Sequence, residues 1–216
     1  IHGAFSGDRE VAAETVGSIA DRETLTDDDH RAIASLVALA VTDSGSDRAA
    51  GALHGILNPY VTDDAFRTIG GTADVFAAMA DRAPGLAVAT ALGSIDRTVA
   101  LDGWREHARA SHAAVRSADT SRHRGLLAAQ IEGGPVLTVA LLLRDFRSPE
   151  PTVLVFDRQT GHVALAGTAA NTGAALANAL SSQAIDRGPY GYATLENGGE
   201  PSVDELVATV REGLTQ

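Results

Sequence analysis

The chain has 216 residues, 28 acidic against 17 basic side chains, a formal charge of −11 and no cysteine. That length allows one large domain or two small ones. The lack of thiols excludes disulfides, cysteine nucleophiles and cysteine-based zinc sites and fits a reducing, cytoplasmic setting. The negative charge is a handicap for gripping a polyanion, whose phosphates are met by basic side chains.

In chain order, residues 8–20 read as a helix with early acidic residues, which suit the positive end of the helix dipole. TDDDHRAIASLVALAV, 26–41, reads as a second helix capped by Thr26 or an early Asp. Its DDDH invites a metal reading, but acidic residues gather at helix starts for the dipole reason alone. DRAAGALHGIL, 47–57, is a third helix stopped by Asn58-Pro59. TADVFAAMADRAPG, 72–85, is a fourth, ending at Pro84-Gly85. LAVATALGSI, 86–95, fits a buried helix or a strand, and periodicity does not decide. Residues 97–119 form a long amphipathic helix, with Val99, Leu101, Trp104, Ala108 and Val115 on a broad buried face and Arg105, Glu106 and Arg109 outside it.

Near residue 120 the style changes. SADTSRHRG, 117–125, reads as a polar hinge. GLLAAQIEGG reads as a strand, PVLTVALLLRDF as a helix with Pro135 in its first turn, and PTVLVFD and HVALAG as a hairpin around RQTG. NTGAALANALSSQ is a small-residue helix, GPYGYATLENGG a strand, and PSVDELVATVREGL a closing helix capped by Ser202. The expected fold class is therefore α/β (α+β): a mostly helical segment, 1–120, then a small mixed-sheet domain, 121–216, in the order β-α-β-β-α-β-α.

Phosphate-loop, dinucleotide, nucleophile-elbow and H-E-x-x-H motifs are absent. His107 and His112, five apart, do not share a helix face and read as solvent-side or partly buried polar residues. The Gly pairs at 70–71, 133–134 and 198–199 read as turns. All 17 basic residues are Arg. An acidic, lysine-free composition points to a salt-loving archaeon, where surface carboxylates keep a protein solvated and screening weakens their repulsion.

The succession HGAFSGDRE, GGTADVFAAMADRAPGLAVATALG, LLRDFRSPEP and a final strand with VREGL resembles the C-terminal part of archaeal RecJ-like proteins of the DHH phosphoesterase family, haloarchaeal members in particular. In that family an N-terminal domain carries Asp and His ligands for two divalent metals, manganese or magnesium. One late ligand is an Asp after small residues and a Gly, a pattern that Ala4-Phe5-Ser6-Gly7-Asp8 resembles. Oxygen and imidazole ligands suit manganese, and a metal pair activates water while bracing the transferred phosphoryl group. The other reading makes Asp8 the cap of the helix that starts near Arg9. The remaining family ligands would lie before residue 1, which makes the chain part of a longer protein.

The second half resembles the DHH-associated C-terminal domain, which holds the substrate strand in active relatives. Two departures weaken that role. The family's Ser-x-Arg corresponds to Ala164-Leu165-Ala166-Gly167, without Arg. Its Gly-Gly-His corresponds to the region of Gly188-Pro189-Tyr190-Gly191, without His. The remaining phosphate-binding candidates are Arg144, Arg147, Gly188 and Gly191. For the two arginines the competing reading is dipole complementation and an ion pair to Asp145 or Glu150. The resemblance implies a metal-dependent phosphodiesterase or exonuclease on single-stranded DNA or RNA, with this chain inactive alone. Its alternative is a non-catalytic replisome scaffold that binds GINS or the helicase. A third reading, without the resemblance, is a soluble domain of unknown role.

Overall fold

The computed structural model describes residues 9–20, 24–63, 66–180, 184–195 and 202–214. The chain divides into two units, 1–110 and 111–216.

In the first unit, α1 (Arg9–Ala20) and α2 (Asp27–Ser44) are the first two helices. Thr26 settles the capping question for α2. Its hydroxyl accepts from the Asp29 amide at 3.3 Å, and the Asp29 carboxylate accepts from the Thr26 amide at 2.8 Å. This reciprocal box uses the acidic run for capping. α3 (Ala49–Leu57) stops at Asn58, whose amide donates to the His54 carbonyl. α4 (Ile69–Arg82) starts earlier than its sequence suggests. Thr68 caps it by accepting from the Gly71 amide, so Gly70-Gly71 lie in a helical first turn and not in a loop turn. Pro84 does not end that helix region; it opens α5 (Pro84–Ala91), which makes the ambiguous apolar run helical.

α6 (Arg97–Ser117) runs through the division between the units. In the first unit Ala100 packs with Val75 and Met79 of α4, with Leu101 and Trp104 beside them. Two polar contacts join the same helices, Arg82 to Glu106 at 2.9 Å and Asp81 to His107 at 3.6 Å. Val99, expected on the buried face, is exposed.

The second unit is a six-stranded mixed sheet in the order β1-β2-β3-β4-β6-β5. Its strands are β1 (Asp119–His123), β2 (Leu126–Ile131), β3 (Thr152–Asp157), β4 (His162–Gly167), β5 (Ile185–Asp186) and β6 (Tyr190–Thr194). β2 and β3 are parallel and are joined through α7 (Val136–Leu142); the other neighbouring pairs are antiparallel. Parallel neighbours need such a crossover, and strands covered on both faces read as continuous apolar runs, as TVLVF does.

The pleat sends alternate side chains to opposite layers. On one face Ile131, Val153, Val155 and Ala164 pack with Val139 and Leu143 and with Ala114 and Val115 from the end of α6. On the other, Leu126, Leu154, Phe156 and Leu165 pack with Leu176 of α8 (Thr172–Ala179) and Leu206, Val207 and Val210 of α9 (Val203–Leu214). Burying a Leu or Phe in this way contributes about 1.5–3 kcal/mol. The buried Asp157 carboxylate fastens the β3–β4 turn by accepting from the Gly133 amide at 2.9 Å, the Gln159 amide at 3.0 Å and the Thr160 hydroxyl at 2.6 Å.

The fold class is α+β, helical first and sheet second, as the sequence implies. Two strands were not expected. The supposed hinge contains β1, an edge strand whose polar side chains stand largely in solvent while its backbone pairs with β2 from Asp119 to His123. β5 adds a two-residue rung beside β6.

Candidate functional site

The four sheet-unit candidates do not form one open phosphate cradle. α7 continues into a wider turn, Leu143–Arg147, closed by the Ser148 amide on the Leu143 carbonyl at 2.7 Å. This turn carries both arginines. Arg144 grips both oxygens of Asp145, Nε at 2.6 Å and Nη2 at 2.9 Å, and its Nη1 donates to the Gly167 carbonyl at 3.2 Å. A phosphate would have to compete with an adjacent bidentate carboxylate. The geometry therefore makes Arg144 a tie between the turn and the end of β4. Arg147 is exposed.

The same end of β4 leads to the glycines. The Gly167 amide donates to the Pro189 carbonyl at 2.8 Å, and the Gly173 amide donates to the Gly188 carbonyl at 2.7 Å. Gly188 has φ +75°, a backbone region that favours glycine. A Cβ on Gly191 would lie 3.0 Å from Gly173 Cα, and one on Gly173 would run into the Asp186 carboxylate and the Tyr190 carbonyl. Thus Gly191 and Gly173 let α8 lie directly on β6. The structure joins Arg144, Gly167 and the Gly188-Pro189 turn in one hydrogen-bonded chain and leaves Arg147 outside it. Gly191 serves the packing of α8.

Asp8 lies outside the described residues. Among the described residues, no group of three His, Asp or Glu side chains could hold a metal ion. These residues do not fit a metal pair. Among the described residues, no helix is long and apolar enough to cross a membrane.

The two α6 histidines, read from the sequence as solvent-side or partly buried, are buried. Burial holds the His107 imidazole below its ordinary pKa, with Asp81 opposing the shift. Burial pushes His112 down to about 4, aided by the positive charges of Arg116 and Arg147. Both rings are neutral near pH 7. Glu150, also buried, accepts from Arg122 Nε at 2.5 Å and from the Gly125 amide at 2.8 Å, so it secures the β1–β2 hairpin.

Sequence reasoning missed a feature of the helical unit. A cleft of about 410 Å³ is lined by Phe66 and Arg67 of the turn before α4, Gly71 and Val75 of α4, and Arg97, Thr98, Leu101 and Trp104 of α6. Its signal was slight: a Trp on an amphipathic helix, which suggests core, and an Arg in a short turn.

Residues 118–212, which span the whole sheet, match the family described as "Uncharacterized protein rrnAC1427, C-terminal domain". Over nearly its full length the chain is similar to "Uncharacterized protein rrnAC1427" of Haloarcula marismortui, at 41% identity over 215 residues. The alignment takes in 97% of this chain and 57% of that relative, so the chain spans little more than half the relative's length.

Proposed function

We propose that this chain is the C-terminal part of a RecJ-like protein of the DHH phosphoesterase family, and that its own residues do not cleave a nucleic-acid strand. The observation that carries the second clause is the lack, among the described residues, of any three-ligand group for a metal ion. The order of a helical unit followed by a mixed-sheet unit supports the family reading. In the intact protein, residues upstream of this chain, together with Asp8, would hold manganese or magnesium, which would supply an activated water for hydrolysis of single-stranded DNA or RNA. The sheet unit lies along the strand. The acidic, lysine-free composition supports a protein of a high-salt archaeon, and the absence of cysteine supports a cytoplasmic one.

A second reading has a specific observation in its favour. Arg144 is paired with Asp145, and β4 carries no Arg, so neither of these two positions offers a ready phosphate hook. A sheet unit of this kind suits a replisome scaffold that binds GINS or the helicase.

The test is degradation of a labelled single strand with Mn2+, by the 216-residue chain and by the intact protein. The expected result is degradation by the intact protein only. Degradation by the chain alone would overturn the proposal that its residues do not cleave. No degradation by either, with capture of GINS by the intact protein, would select the scaffold. No degradation and no capture would remove the family reading.

A further inference from the structure

The cleft in the helical unit has the makings of a ligand site independent of the nucleic-acid reading. Its volume of about 410 Å³ is that of a small-molecule pocket. Phe66, Val75, Leu101 and Trp104 give it an apolar lining. Phe66 is braced edge-on against Phe76, with ring centroids 6.4 Å apart. The charged residues in its lining are Arg67 and Arg97, both exposed, and no carboxylate lines it among the described residues. In a chain of net charge −11, the charged side chains that line this cleft are thus basic. Arg97 adjoins Asp96, which accepts from the Thr98 amide at 2.8 Å, so its charge is partly offset. Arg67 is the stronger candidate for an anion.

The backbone at Arg67 supports this. Its φ is +61°, and it is the non-glycine residue with positive φ among the described residues. The Thr68 amide donates to the Phe66 carbonyl at 2.8 Å, which closes a three-residue turn around Arg67. The Thr62 amide donates to the Arg67 carbonyl at 2.8 Å and pins the turn from the other side. Such tight turns are rare and strained, and a side chain with a Cβ is disfavoured there. Glycine would relieve the strain, yet an arginine occupies the position. Strain of this kind, where an outlier is observed, points to a site.

We propose that this cleft binds a small organic anion with a flat apolar body, its carboxylate or phosphate head on Arg67 and Arg97 and its body against Val75, Leu101 and Trp104. Arginine suits such a head because its planar fork can donate two parallel hydrogen bonds.

Trp104 is the single tryptophan, so its fluorescence reports the cleft directly. The probes are 4-iodobenzoate, its uncharged analogue 4-iodobenzamide, and 4-iodophenyl phosphate, titrated at one fixed salt concentration because screening alters the contacts. Their heavy atom quenches indole on contact. At least one anion should quench saturably with a Kd below about 1 mM, and the amide should bind at least about tenfold more weakly. The tighter anion identifies the head group. Arg67→Gly should weaken anion binding at least about fivefold while raising the melting temperature, which separates the site from the fold. Arg97→Ala should weaken it less. Unsaturable quenching, equal affinity for anion and amide, or unchanged binding by Arg67→Gly would overturn the proposal.

Discussion

The two units solve the problem of burial to different degrees. In the sheet unit the large apolar residues of β2, β3 and β4 are covered by helices on both faces. In the helical unit many are not: Tyr60 is 80% exposed, Leu92 74%, Val61 74% and Leu39 68%. Among the described residues, every exposed large hydrophobic except Ile185 belongs to the helical unit. Full burial of such a side chain is worth roughly 1.5–3 kcal/mol, and each forgoes a part of that in proportion to its exposure. Polar detail follows the same division. The sheet unit uses buried Asp157 and Glu150 to fasten its turns, whereas the helical unit carries strain at Arg67 beside an open cleft. The sheet unit is the finished scaffold, and the helical unit holds the unfinished surface and the candidate pocket.

Substitutions can break that comparison or sharpen it. The largest effect belongs to the doubly covered sheet. Leu165→Ala should cost about 2–5 kcal/mol, read from the denaturation midpoint by circular dichroism. Its counterpart in the helical unit, Leu92→Gln, should stay within about 0.5 kcal/mol because the side chain already meets water. A comparable loss in the two variants would contradict the contrast.

Acid should act next, through His112. The unfolded imidazole takes up its proton near pH 6.5, the folded one only near pH 4. The contribution to stability is complete above pH 6.5 and is lost as pH falls from 6.5 towards 4, on the order of 3 kcal/mol in all. Denaturation midpoints across that range should fall less steeply for His112→Gln than for the parent. Thr26→Ala should cost about 1 kcal/mol by removing the box that starts α2, a loss visible in helical circular dichroism. An effect of similar size has the opposite sign: Arg67→Gly should stabilise the protein by about 1 kcal/mol.

Much of this architecture was legible in local signals. Thr26, Asn58-Pro59, Pro135 and Ser202 punctuate helices, and TVLVF and HVALA announce buried strands. β1 was hidden because an edge strand needs only backbone pairing, so DTSRH carries no apolar alternation. The ambiguous 86–95 run was settled by Pro84 at a helix start. The α6 histidines were only partly legible because one helix serves two cores, His107 beside Asp81 in the first unit and His112 near Arg116 in the second. The site was less legible than the fold. For Arg144 the sequence left a phosphate contact and an ion pair to Asp145 or Glu150 both open, and the structure shows the pair with Asp145. Gly191 reads as a substrate contact until Gly173 is placed 3.0 Å from its would-be Cβ. The cleft depends on the meeting of residues 66–75 with 97–104, a long-range juxtaposition that no local pattern encodes.

The contrast between the units is tested most directly by native-state hydrogen exchange on the whole chain, followed by peptide mass spectrometry. Amides of β2, β3 and β4 should be the slowest in the molecule, opening only with global unfolding of the sheet unit, while those of α2 to α5 exchange through smaller openings. Equal protection across the two units, or slower exchange in α2 to α5 than in the central strands, would contradict the account.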